Sequence, residues 1–147
     1  MNRQFKNILA ISFFLICIAV IDTAGQNIEL EIRGVNAFTF TLIVAVLLQV
    51  IFFIPSFLLK TEKYYDLVGS LTYITTVSLA YFSVENKTMI DSIIYFYVMV
   101  WALRLGIYLF RRVRNDGKDV RFEKAKRHFF WFLQYWMGQA LWVSLTA

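Results

Sequence analysis

The chain has 147 residues, 59% of them hydrophobic and 18% aromatic, with a formal net charge of +5 and a mean hydropathy of +0.59. A soluble domain of this size shows short amphipathic runs; here the apolar runs are long and the charges fall between them. A single cysteine, Cys17, excludes an internal disulfide, and a single histidine, His128, argues against a histidine-built metal centre or a Ser-His-Asp triad confined to this chain.

Five apolar segments emerge, at about 8–24, 37–59, 67–84, 93–110 and 129–145. Each approaches the ~20 residues that an α-helix needs to cross a hydrocarbon core of ~30 Å. The expected fold class is all-α: a single polytopic transmembrane helical bundle over 1–147 with about five spans and a basic cytoplasmic loop at 111–128. The first segment has some features of a signal peptide, because Arg3 and Lys6 precede its apolar run. Asp22 occupies the −3 position of Asp22-Thr23-Ala24, which makes a poor cleavage site, so the segment is read as a retained helix. A cytoplasmic N-terminus places Arg3, Lys6, Lys60, Lys63 and the basic residues of 111–128 on one side, against Arg33 and Lys87 on the other. That asymmetry is a strong positive-inside signal. Five spans then put Ala147 on the far side.

In the second segment Pro55 interrupts the helix near its cytoplasmic end, and Gln49 is the strongly polar internal side chain. The link at 60–66 is short enough to dictate an antiparallel helical hairpin. In the third segment Asp66, Ser70 and Tyr73 recur at helical spacing, joined by Gly69 and Thr76, so one face is small and polar. Two readings stand: close helix packing, which membrane interfaces build from such residues, or the wall of a ligand cavity.

The fourth segment carries Tyr97, Trp101, Arg104, Tyr108 and Arg111 on one stripe. Arg104 lies about 10 Å deeper than Arg111 along a helix rising 1.5 Å per residue. A guanidinium at that depth costs about 2.5–3.5 kcal/mol on insertion scales, so it either snorkels to the interface or faces a polar cavity. The following stretch, 111–128, accounts for the whole net charge. Topological retention with attraction to anionic membrane lipids is one reading, and docking of a phosphate-bearing cofactor by arginine is another. Nucleic-acid binding is disfavoured for a short loop tethered between spans. Asn115-Asp-Gly117 supplies a turn, so the loop is expected to fold back. In the fifth segment Trp131, Tyr135, Gly138 and Trp142 share a face, and Gln134 and Gln139 are amides that need partners.

Three stretches together resemble the steroid 5α-reductase-like membrane proteins, most closely an uncharacterised bacterial branch, a domain of unknown function. They are Thr61-Glu-Lys-Tyr-Tyr-Asp-Leu-Val-Gly-Ser-Leu-Thr-Tyr73, Trp101-Ala-Leu-Arg-Leu-Gly106 with Arg111 and Arg112, and Gly117-Lys-Asp-Val-Arg-Phe122. The ending Gln139-Ala-Leu-Trp-Val-Ser144 also resembles that branch, so the likeness runs from Lys60 to Ala147. The resemblance implies an NADPH-dependent membrane oxidoreductase that reduces the conjugated double bond of a lipid-like substrate, in a bacterial inner membrane. It implies Arg104, Arg112 and Arg121 as cofactor contacts and Asp66, Tyr73, Tyr97 and Trp101 as groups of the substrate cavity. No catalytic acid is assigned and no metal is expected.

Two departures bear on this. The family continues into helices that carry much of its cofactor site, so this chain is expected to be the N-terminal portion of the fold and inactive alone. Phe52-Phe53 stand before Pro55 where the steroid reductases proper have a Gln-Glu pair, and Trp101 replaces a tyrosine, which argues against a 3-oxo steroid. The alternative is a non-enzymatic small membrane protein acting as an assembly or lipid-binding protein partner. A methyltransferase of the isoprenylcysteine type ranks lower, because its C-terminal motifs are absent here.

Overall fold

The computed structural model describes residues 2–27, 31–32, 34–116 and 119–147. Helix α1 (Arg3–Gly25) begins where the Asn2 side chain accepts from the Gln4 N–H at 3.3 Å. Helix α2 (Ala37–Leu58) begins in the same way, with the Asn36 side chain accepting from Phe38 N at 2.9 Å and Thr39 N at 3.3 Å. Between them β1 (Glu31–Ile32) and β2 (Val35–Asn36) form a small antiparallel hairpin. Its turn uses Gly34 at φ +78°, a conformation that glycine adopts without steric cost. The sequence patterning gave no sign of this hairpin.

Pro55 falls in the last turn of α2, where it removes the backbone bond to the Ile51 carbonyl with only three helical residues still to follow. The helix closes as Leu59 N donates to the Pro55 carbonyl at 2.9 Å, and Lys60 then turns the chain with φ 51°. Helices α3 (Tyr65–Ser83), α4 (Met89–Asp116) and α5 (Phe129–Thr146) complete the bundle. The fourth helix corrects the sequence reading. It does not end at 110 but carries Arg111, Arg112 and Arg114 on its last turns, 28 residues and about 42 Å in all. The expected turn at Gly117 lies outside the described residues.

Helix α5 is the axis of the bundle: Phe132, Trp136, Ala140 and Val143 have no exposed surface. Phe53 of α2 packs edge-on against Trp136 and Phe129, and Phe14 of α1 lies over Gly138. Helix α3 is clamped to α4 by two small residues. A Cβ on Gly106 would sit 2.5 Å from Ser70 Oγ, and that hydroxyl donates to the Ala102 carbonyl at 2.5 Å. Gly69 likewise lets the Gln139 amide approach from α5, and Gln49 of α2 donates to Thr72 Oγ1 at 3.0 Å. Gly69, Ser70 and Thr72 of α3 thus make close contacts with neighbouring helices.

Hydrophobicity is distributed inside out. Among the described residues, α1, α2 and α4 are long and apolar enough to cross a membrane, and each turns an apolar face outward. They present Phe13, Ile16, Val20, Leu47, Ile51 and Ile94, among others, to the surroundings. A contiguous coat of this kind is untenable in water and natural in lipid. Helices α3 and α5, expected as two of about five spans, are not among these three. Ser70, Thr72, Tyr73, Trp136 and Gln139 face other helices, so these polar and aromatic positions answer to packing, while Trp142 of α5 is exposed. The protein is a membrane-embedded all-α helical bundle.

Candidate functional site

The start of α1, the end of α2, the start of α3, the end of α4 and the start of α5 meet at one end of the bundle, and this end collects the basic residues. The segment after α4 is well anchored there. It forms two 3₁₀ turns, Val120–Phe122 and Ala125–Arg127, that bury Phe122 and Ala125. Phe122, only 1% exposed, fits among Tyr65, Phe132 and Tyr135, with ring centroids 4.7, 5.9 and 4.9 Å away. Tyr65 is held in turn by its hydroxyl, which donates to the Tyr135 carbonyl at 2.9 Å. Burial, aggravated by the adjacent Asp66 carboxylate, pushes the Tyr65 phenol far above its usual range, so it stays a neutral donor.

Carboxylates fasten the polar side of the same segment. Glu62, in the link between α2 and α3, accepts from Lys126 Nζ at 2.6 Å and from the Asp119 backbone N–H at 3.1 Å. Its side chain is 3% exposed, so this is a desolvated ion pair completed by a backbone donor. Asp119 caps the first 3₁₀ turn by accepting from Arg121 N at 3.0 Å, and its carboxylate also grips the Arg121 guanidinium at 2.5 Å. Those hydrogen bonds from Arg121 hold Asp119 below the usual carboxylate range and raise Arg121.

Asp66, in the first turn of α3, lies between the two arginine-bearing segments. Arg121 approaches it at 3.6 Å and Arg112 at 3.7 Å, while Arg112 is also 3.7 Å from Asp119. Burial raises Asp66, and the two guanidiniums offset this only in part. The result is a two-arginine, two-aspartate cluster whose carboxylates are sheltered and whose guanidiniums are half exposed, at 41% and 53%. Such an arrangement fixes where the guanidiniums lie and leaves their outer N–H edges to solvent or ligand.

Arg112 also borders an open groove of about 720 Å³ along the outer face of α4, lined by Arg104, Ile107, Tyr108, Arg111 and Asn115 as well. Arg104 and Arg111 have no carboxylate partner among the described residues. The structure thus brings Asp66, Arg112 and Arg121 into one cluster and places Arg104 in the adjoining groove. The remaining candidates lie elsewhere. Tyr73 is buried, edge-on to Trp101 with centroids 5.1 Å apart, and its hydroxyl hydrogen-bonds Thr146 of α5. Tyr97 is exposed on the stripe of α4, and Trp101 is half-exposed there with one side against Tyr73 of α3. Arg104 shares that face.

Sequence reasoning passed over Glu62, Asp119 and Lys126 as the groups that order this end. Asp119 stood inside a quoted motif, but its capping and pairing roles have no spacing signature. Glu62 reaches partners 57 and 64 residues away, which no local pattern reports.

These features define a membrane-embedded helical protein with an ordered, arginine-rich end. A family model described as a protein of unknown function, DUF1295, matches residues 52–147, more than half of the chain, and the chain belongs to that family. No curated protein and no solved structure is significantly similar to it.

Proposed function

We propose that the protein contributes the arginine side of an NADPH site in a membrane reductase of the steroid 5α-reductase type, acting on a lipid-like enone. The observation that carries this reading is the α4 groove, where Arg104 and Arg111 lack carboxylate partners and Arg112 is held at the mouth by Asp66. These residues fit a phosphate-rich cofactor, because guanidinium groups present paired N–H donors to phosphate oxygens. The groove volume also falls within the ~300–1,000 Å³ usual for ligand sites. Arg104, Arg111 and Arg112 would hold the phosphates, with Arg121 beside them.

NADPH, when bound, supplies a hydride to the β-carbon of the enone, and a proton from water completes the α-carbon. A saturated carbonyl compound and NADP⁺ result. The chain's own part is to neutralise phosphate charge and to orient the cofactor against an apolar wall that includes Ile107 and Tyr108. By the positive-inside rule, the basic end faces the cytoplasm of a bacterial inner membrane, where NADPH is available.

The test is consumption of NADPH, followed by its ultraviolet absorbance, in native membranes containing the protein and an amphiphilic enone. Activity lost in Arg104→Ala supports the reading, and a rate unchanged by that substitution removes its basis. A second reading draws on the outward aromatic stripe of exposed Tyr97 and Tyr108 with half-exposed Trp101 between them, which suits a non-enzymatic role as the docking face for a partner helix. Recovery of a stoichiometric partner lost on Trp101→Ala, with no NADPH consumption, would favour that alternative.

A further inference from the structure

The same end of the bundle carries a second pocket on its opposite side, formed where the first turns of α1 and α5 meet. It has a volume of about 550 Å³ and is lined by Arg3, Asn7, Arg127, His128, Phe130 and Trp131. Arg3 lies over the Trp131 ring, its guanidinium carbon 3.5 Å from the centroid, and His128 stacks with Trp131 at 6.0 Å between centroids. Neither Arg3 nor Arg127 has a carboxylate partner among the described residues. This contrasts with Arg112, Arg121 and Lys126, which are all paired at the same end. A stacked guanidinium keeps its N–H edges free for an in-plane acceptor.

We propose that this pocket binds the phosphate of an anionic phospholipid. The charge calls for an anion, and two guanidiniums with an amide at Asn7 offer the planar, multidentate donors that phosphate takes. The surroundings select a membrane lipid over a soluble phosphate. Phe129 and Phe130 are partly exposed at the pocket, and the same turns of α1 expose Phe5, Ile8 and Leu9, an apolar track on which acyl chains can lie. Trp131 sits where tryptophan usually marks the membrane interface. The site is separate from the α4 groove and does not depend on the reductase reading.

Native mass spectrometry of protein taken from mixed phosphatidylcholine and phosphatidylglycerol nanodiscs tests this. Wild-type protein is expected to retain phosphatidylglycerol in preference to phosphatidylcholine. In R3Q/R127Q that retention falls about tenfold or more, at roughly fivefold for each cation lost. The control R114Q/K124Q removes equal charge from exposed positions outside the pocket and retains the lipid. R127Q alone gives up no hydrogen bond or ion pair within the described chain, so it reports on the site without disturbing the Arg3–Trp131 stack. Equal losses in the pocket and control pairs would reduce the effect to general surface charge and overturn the proposal. Displacement of the lipid by millimolar inorganic phosphate would also overturn it, by assigning the pocket to a free anion.

Discussion

Replacing Glu62 by alanine removes the carboxylate that joins the α2–α3 link to the basic segment. Lys126 Nζ then loses an acceptor at 2.6 Å and the Asp119 N–H loses one at 3.1 Å. Removing one member of a buried ion pair costs about 3–5 kcal/mol when the other stays buried. The Lys126 side chain is 21% exposed and can partly reach water, which brings the expected cost to about 2–3 kcal/mol. For a chain of this length, that corresponds to a fall in Tm of roughly 6–12 °C. Thermal unfolding in mild detergent, followed by tryptophan fluorescence, measures it, with Trp131 and Trp136 close to the segment. Glu62→Gln should lose about half as much, because an amide oxygen still accepts from Asp119 N. Combining Glu62→Ala with Lys126→Ala should show a coupling of about 1–2 kcal/mol. A Tm within about 1 °C of wild type, or strict additivity of the two substitutions, would refute the pinning of this segment by Glu62.

The two aspartates should respond to pH in opposite directions. Asp119 is held below the usual carboxylate range by Arg121, so it stabilises the fold above that range and ceases to as pH falls through its depressed value. Asp119→Asn should therefore lower Tm at pH 7, with the deficit closing as pH falls below the usual carboxylate range. Asp66 is raised by burial, so its favourable contribution belongs to low pH and is lost as pH rises through the elevated value. Asp66→Asn should match or exceed wild-type Tm at pH 7, and the advantage should vanish in acid. The same pH trend for both variants would contradict the assignments. Gly106→Ala should cost about 1–3 kcal/mol, since its new methyl meets the Ser70 Cβ at 2.6 Å. Gly69→Ala should be milder, because the atom in its way is the end of the flexible Gln139 side chain. Equal unfolding temperatures for the two glycine variants would show that the α3–α4 contact is not tight. Phe122→Ala should lower stability by about 3–5 kcal/mol and expose the basic segment to trypsin, and an unchanged cleavage rate would contradict its anchoring role.

The helices were legible because runs of Ile, Leu, Val and Phe in the first, second and fourth segments report directly on contact with lipid. Their caps at Asn2 and Asn36 follow ordinary sequence rules. Helices α3 and α5 were legible as helices, but their contacts with other helices were not. Ser70, Thr72 and Gln139 lower the apparent hydrophobicity of α3 and α5, and only the bundle shows that they face neighbouring helices. The arginines stood out in the sequence because charge next to a span is costly. Asp66 was singled out as a cavity group but not as their partner, and Glu62 and Asp119 passed as ordinary carboxylates until the chain closes on itself. Loop 111–128 was misjudged in part for a related reason. Its basic composition reads as solvated, yet Arg111 to Arg114 continue α4 and Phe122 is a core residue. The stripe from Tyr97 to Arg111 was located correctly on one helix face, but periodicity does not reveal whether that face is covered.

The central claim is that the arginine-rich groove receives NADPH. The most direct measurement is a titration of protein isolated from its own membranes, reading quenching of tryptophan fluorescence or energy transfer to the nicotinamide. The account predicts saturable binding that weakens about tenfold or more in Arg104→Ala, at roughly 1.5–3 kcal/mol for a lost charged hydrogen bond. Arg114→Ala, outside the groove, should leave it unchanged. Absence of saturable binding up to millimolar NADPH, or equal weakening by both substitutions, would contradict it.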